Sequence, residues 1–315
     1  MRIIGLALIA LLTFITAAQA QVAAPRLNPL PFTPSAAWNP AVYSWDGPSR
    51  IGAGLGEIAL DFTATGSATV EAAAGDTTAA TLRWVGESFA FGVDYFLLNL
   101  DIIQSFGGGP IEFETTLVGA SFQMDDLFSI GAGQETGKNL FDTSLTTGSL
   151  PIVGATLRLG EVFYFGFATG DETIEQETTT VAGSTVEGER GVTRIGLAYH
   201  SRDGENGLHV EVWRNDIDAI NTTVLSVDGE ESTGVTLEVV FSNILIGYES
   251  IGGETLDAAN GSVLEEEDAT TISLGWVPME GLSLVVSMTE IESNDLSNGE
   301  VFQFNLLFAG VTWSF

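Results

Sequence analysis

The chain contains no cysteine. Disulfides, thiolate nucleophiles and cysteine-held metals are excluded with it. Basic residues are scarce, with 10 Lys and Arg against 42 Asp and Glu and a formal net charge of −32. Phosphate backbones are bound by cationic side chains, so a nucleic-acid partner is not expected. The only histidines are His200 and His209. Proline is rare, and five of the 9, Pro25, Pro29, Pro31, Pro34 and Pro40, fall before Gly47. Past the N-terminus no apolar run approaches the length of a spanning helix.

What is present is an acidic chain with positive mean hydropathy. Acidic disordered chains lack apolar residues, so here charge and apolar surface must be segregated along a folded chain. Met1-Arg2, the apolar run Ile3–Ile15 and Ala18-Gln19-Ala20 make a secretory signal over 1–20, cut before Gln21. Export through an oxidising compartment suits the missing cysteines. Residues 21–48 form a separate irregular segment, because proline lacks the ladder donor that a strand needs.

From 49 to 315 the chain alternates strand-like stretches with turn signals. Fourteen strands are expected: 49–63, 77–86, 88–102, 111–124, 127–138, 146–160, 161–171, 189–201, 207–217, 233–242, 243–252, 268–277, 281–292 and 299–315. One hairpin more or fewer would give 16 or 12. Val235, Leu237, Val239 and Phe241 share one face, opposite Thr236 and Glu238. Leu282, Leu284, Val286 and Met288 likewise oppose Ser283, Ser287 and Thr289, and Phe163, Phe165 and Phe167 oppose Tyr164, Gly166 and Ala168. Apolar outside with polar or small residues inside is the pattern of a transmembrane barrel. Tight links such as Gly86-Glu87, Asp125-Asp126 and Ser242-Asn243 alternate with long ones such as 139–145, 172–188 and 253–267. These are expected to be periplasmic turns and extracellular loops. The acidic runs Asp171–Glu177 and Glu265–Asp268 are expected in the loops, solvated or bridged to lipopolysaccharide by divalent cations. The fold class is therefore all-β, a transmembrane antiparallel barrel.

The last strand carries Phe302, Phe304, Leu306 and Phe308 on one face and Val311, Trp313 and Phe315 in the opposite phase. A bulge at Ala309-Gly310 would shift the pleat and bring both sets to one side. Pairing of this strand with the first removes the exposed edge. Alternate aromatics ending on Phe315 resemble the C-terminal strand of Gram-negative outer-membrane barrels. That resemblance implies outer-membrane localisation, insertion by the barrel-assembly machinery through Val311, Trp313 and Phe315, and lipid and lipopolysaccharide as surroundings.

Ser35-Ala36-Ala37-Trp38 leads into Asn39-Pro40-Ala41. This tripeptide, placed before fourteen strands, resembles the hatch motif of FadL-type outer-membrane transporters for fatty acids and other hydrophobic compounds. The resemblance implies that 21–48 plugs the barrel and that the function is passive uptake of a hydrophobic small molecule. The chain is shorter than that family and lacks its long helical loop insertions.

Arg83, Arg158, Arg194, Asp94, Glu211 and Glu238 fall on lumen faces, with Phe96 and Tyr164 as apolar lining. They form either an interior ion-pair network or, through one arginine fork, a carboxylate receptor. A general diffusion porin for small hydrophilic solutes and a non-transporting structural or adhesive barrel stay open. Catalysis is not expected, because His200 and His209 have no nucleophile and orienting group in a plausible pattern. The two are expected to face each other across the 201–208 turn without a fixed carboxylate, so no metal is expected, and no cofactor.

Overall fold

The structure is a computed structural model. It describes residues 39–43, 49–64, 68–102, 109–125, 127–141, 144–160, 162–178, 185–201, 206–217, 220–221, 226–227, 229–257, 259–279, 281–296 and 299–315. The expected secretory signal at 1–20, and 21–38 and 44–48 of the expected irregular segment, lie outside the described residues. The strands are β1 (Arg50–Thr63), β2 (Val70–Val85), β3 (Phe89–Ile102), β4 (Gly109–Met124), β5 (Phe128–Phe141), β6 (Ser144–Leu159), β7 (Phe163–Thr178), β8 (Thr185–His200), β9 (Asn206–Ile217), β10 (Ile220–Asn221), β11 (Ser226–Val227), β12 (Gly229–Phe241), β13 (Ile244–Leu256), β14 (Val263–Met279), β15 (Leu282–Asp295) and β16 (Glu300–Ser314). β10 and β11 pair only with each other, and the other fourteen close into an antiparallel barrel. β1 and β16 seal it in register from Arg50 opposite Ser314 to Thr63 opposite Val301. All fourteen expected strands are found.

A spanning strand needs about 9–11 residues, yet β14 has 17 and β2, β4, β6, β7 and β8 have 16 each. The excess lies at the long-link end. There the expected loops shrink, and β5 and β6 join through 142–143 alone instead of 139–145. β14 begins at Val263 and takes Glu265–Asp268 into its ladder. The acidic runs are therefore wall in part and not loop. Main-chain bonds hold an antiparallel ladder whatever its side chains, so registered strands continue upward past the polar residues. At the opposite end the turns are tight, with Gly160 and Gly281 at φ of 71° and 81°, where a side chain would be strained.

The pleat changes character with height. Near the short-turn end the outward residues are large and apolar: Leu55 on β1, Phe122 and Val118 on β4, Leu237 and Val239 on β12, Ile272 and Leu274 on β14, and Leu307, Val311 and Trp313 on β16 are all exposed. About eight residues per strand make a belt of roughly 25 Å, the height of a bilayer core. Above it the outward residues turn polar: Glu57, Asp76, Asp101, Glu254, Glu266, Asp268 and Glu290 are exposed. The inward residues there turn apolar. Ile58, Leu60, Phe62, Leu98, Leu100, Phe302, Phe304 and Phe308 are at most 7 % exposed and form one cluster. The upper wall is thus built like a water-soluble sheet, wet outside and apolar inside.

The bulge expected at Ala309-Gly310 is absent: β16 keeps its register with β1 and β15 throughout. Phe302, Phe304, Leu306 and Phe308 consequently face the lumen, and Val311 and Trp313 the lipid. The two phases belong to two solvents at two heights on one straight strand.

Candidate functional site

At the short-turn end the inward face is floored with glycine. Gly119 on β4, Gly131 and Gly133 on β5 and Gly154 on β6 lie against one turn, Pro40–Val42, whose N-cap is Asn39. Added methyls at Gly131 and Gly154 would strike the Pro40–Ala41 peptide and the Asn39 side-chain oxygen, and one on Gly119 would lie 2.9 Å from the Tyr43 ring. Only glycine admits so close an approach. Proline holds Asn39 extended, at φ −110° and ψ 95°. The Asn39 amide donates to Ala155 O at 3.4 Å and Thr156 Oγ1 at 3.5 Å, and its oxygen accepts from Ala41 N at 3.1 Å. Ser129 Oγ donates to Ala41 O at 2.6 Å. Asn39, Ala41 and Tyr43 are almost wholly buried. The tripeptide therefore sits in the lumen of the described barrel.

Next to the turn, Arg83 lays its guanidinium 3.6 Å from the Tyr43 ring centroid and binds Asp94 Oδ2 at 2.5 Å. Asp94 also accepts from Thr81 Oγ1 at 2.6 Å. Across the lumen Arg194 binds Glu211 at 2.6 Å and lies 5.3 Å from the Trp213 ring. Arg158 stands 5.6 Å from the Tyr164 ring. Arg83, Arg194 and Glu211 are at most 3 % exposed. The structure thus gives the arginines Arg83 and Arg194 protein carboxylates as partners, the interior ion-pair arrangement. Phe96 is buried higher up, 6.4 Å from Phe113.

The two histidines are not ladder partners across the turn. The β8–β9 register sets His200 opposite Gly207 and His209 opposite Ala198. The expectation that fixed carboxylates are lacking also fails, because the inward phase of β9 and β12 brings two to His209. Glu238 Oε2 lies 2.8 Å from its Nδ1 and Glu211 Oε2 3.6 Å from its Nε2. Among the described residues no group of three potential ligands is placed to hold a metal ion.

Sequence reasoning missed Tyr43, Trp213 and the upper apolar lining. Ladder rows show how that lining is arranged. Ile251, Ala269, Ile291, Phe304, Leu60, Ala73 and Ile102 are successive partners across seven strands. The row above reads Gly253, Glu267, Ser293, Phe302 and Phe62, and the next Thr255, Glu265, Asp295 and Glu300. An acidic rim, joined by Glu230 of β12, thus borders the apolar lining. Glu230, Glu265 and Glu267 are 4–6 % exposed, and Ser293 Oγ donates to Glu265 at 2.8 Å. These residues lie above the apolar belt, outside the membrane. Burial pushes the Glu267 carboxyl well above the usual range, and the negative charges of Glu230, Glu265 and Asp268 add to it. Burial likewise raises Glu265, although the Ser293 bond opposes this. The signal was legible in β1, where Glu57 and Asp61 alternate with Ile58, Leu60 and Phe62 in a phase opposite to a lipid-facing strand.

No family model and no curated protein matches the chain. Solved structures do. A deletion mutant of the monoaromatic hydrocarbon channel TodX superimposes with a TM-score of 0.58 at 10 % identity, over 88 % of this chain and 93 % of that one. The Pseudomonas putida toluene transporter TodX gives 0.53 at 11 % identity, over 88 % and 91 %. A Pseudomonas aeruginosa FadL homologue gives 0.57 at 12 % identity, over 95 % and 98 %. The chain has the fold of FadL-type outer-membrane channels.

Proposed function

We propose that this barrel mediates passive uptake of hydrophobic small molecules across the outer membrane, with Asn39–Tyr43 as the tight point of a hatch. The observation that carries this reading is the apolar lining of the upper lumen: Leu60, Phe62, Leu98, Leu100, Phe302 and Phe304 face inward above the level of the lipid. A diffusion pore for hydrophilic solutes needs a polar, hydrated lumen instead. The FadL-type fold, whose solved examples include proteins described as a monoaromatic hydrocarbon channel and a toluene transporter, supports the same reading.

Solute enters between the upper strands, rests on the apolar lining and is held there while the turn occupies the glycine floor. Release needs the turn to leave that floor. A lateral exit into the bilayer then avoids water. Its candidate seam is β6–β7, whose ladder lapses at Leu150-Pro151 opposite Asp171-Glu172, where proline has no N–H to give.

Planar-bilayer conductance tests the hatch. The intact protein is expected to be nearly silent, and deletion of 21–47 to open large, steady channels. An intact protein that already conducts like an open pore, with no change on deletion, would replace this reading with the porin.

A further inference from the structure

We infer that the solute is an apolar molecule with a cationic, ammonium-type head, which the Glu265–Glu267 rim holds while the body lies on Phe62, Phe302, Phe304 and Leu60. The inference rests on the uptake reading above and names its substrate class.

Three observations lead to it. Carboxylates and apolar rings are ladder neighbours: Glu267 pairs with Ser293, Ser293 with Phe302, and Phe302 with Phe62, whose ring centroid is 5.0 Å away. A solute that parts this packing and lies on the rings therefore has its head within reach of the rim. Second, Glu267 is 4 % exposed, and its Oε1 has no hydrogen-bond partner among the described residues. A carboxylate oxygen removed from water and left unmet is costly, and an ammonium N–H would satisfy it. Third, the lumen-facing cations whose side chains are described, Arg50, Arg83, Arg158 and Arg194, belong to lower rows than the rim, Arg190 joining the rim row only by its backbone register through Ile217 and Glu230, and Arg83 and Arg194 are salt-bridged to Asp94 and Glu211. An anionic head that enters along β12–β16 would have to pass Glu230, Glu265, Glu267, Asp295 and Glu300 before meeting any of them. Unlike charge attracts and like charge repels most strongly where water is thin.

The test is equilibrium binding to the full protein in nanodiscs, corrected with empty nanodiscs, for octylammonium, 1-octanol and octanoate. Octylammonium is expected to bind at least about tenfold more tightly than octanoate, the effect of a single well-placed charge. In E265Q/E267Q that ratio should collapse several-fold. In E57Q/E290Q, which removes two outward-facing acids, it should persist, separating a rim contact from bulk charge. If 1-octanol binds but octanoate binds as well as octylammonium, the cationic head is wrong and hydrophobic uptake stands. A ratio unmoved by E265Q/E267Q has the same consequence. If none of the three binds, the uptake reading falls and this inference with it. The wild-type ratio decides by itself should the double variant fold poorly.

Discussion

Glu267 shows how one residue links wall architecture to pH. It projects inward from a strand that has left the membrane, among Glu230, Glu265 and Asp268. Its folded-state pKa lies above its unfolded value, so between the two the folded state binds more protons. Stability is then greatest below the ordinary carboxylate range and declines as pH rises through the folded value. Glu267→Gln removes this contribution. Urea unfolding in liposomes should find E267Q more stable than wild type at neutral pH, by about 1–3 kcal/mol. The gain should close as pH falls toward 4.5. An equal gain at every pH would show that titration of Glu267 is not responsible. The composition could not reveal this residue. Leu264–Asp268 has the polarity of a loop, and only the ladder to Thr255 and Ser293 shows that alternate members of the run point into a dry interior.

At the scale of the strand, the informative feature is where its two faces exchange solvents. On β16 Leu307 is the last outward apolar residue before Asn305 and Gln303. Val311→Arg, deeper in the belt with Ala53 and Leu284 as ladder partners, should destabilise the barrel by roughly 2–4 kcal/mol, and Gln303→Arg by no more than about 1 kcal/mol. Gln303 already donates to Glu290 and Glu292 at 3.4 and 3.3 Å. An arginine there gains two carboxylates, where the Val311 position offers only lipid and apolar neighbours. Equal unfolding shifts would place the lipid boundary elsewhere. Strand number, order and the facing of Leu237, Leu284 and Phe165 were legible, because their alternation is governed by one solvent boundary. The facing of Phe302–Phe308 was not. A rule of apolar side outward assumes lipid at every height, and the expected bulge followed from that assumption. Glycine floors are equally hard to read. Gly119, Gly131 and Gly154 look like ordinary small lumen residues until Asn39–Tyr43 is placed against them.

Across the whole molecule the net charge of −32 is concentrated where the wall stands in water, and it opposes that wall's own assembly. Acids stand directly opposite acids on the outer face: Glu57 and Asp76, Asp61 and Glu71, Glu254 and Glu266, Asp268 and Glu292. Such pairs are unfavourable by about 0.2–1 kcal/mol each. What outweighs them is the apolar lining on the reverse side of the same strands. Burying a single large apolar side chain contributes about 1.5–3 kcal/mol. The wall is therefore stable despite its exterior, and the repulsion should be recoverable by one substitution. Glu266 is the best position, since it is exposed and lies opposite Glu254, which itself lies opposite Glu231. Glu266→Lys turns a repulsive cross-strand pair into an attractive one, on a face that binds no solute in the proposed scheme. Its gain should be about 0.5–2 kcal/mol in low salt, and 1 M salt should erase most of it, because the Debye length there is only about 3 Å. Urea midpoints of wild type and E266K at the two ionic strengths measure both effects. A gain that survives high salt would have to come from packing, and no gain at either ionic strength would mean that the exterior acids do not strain the wall.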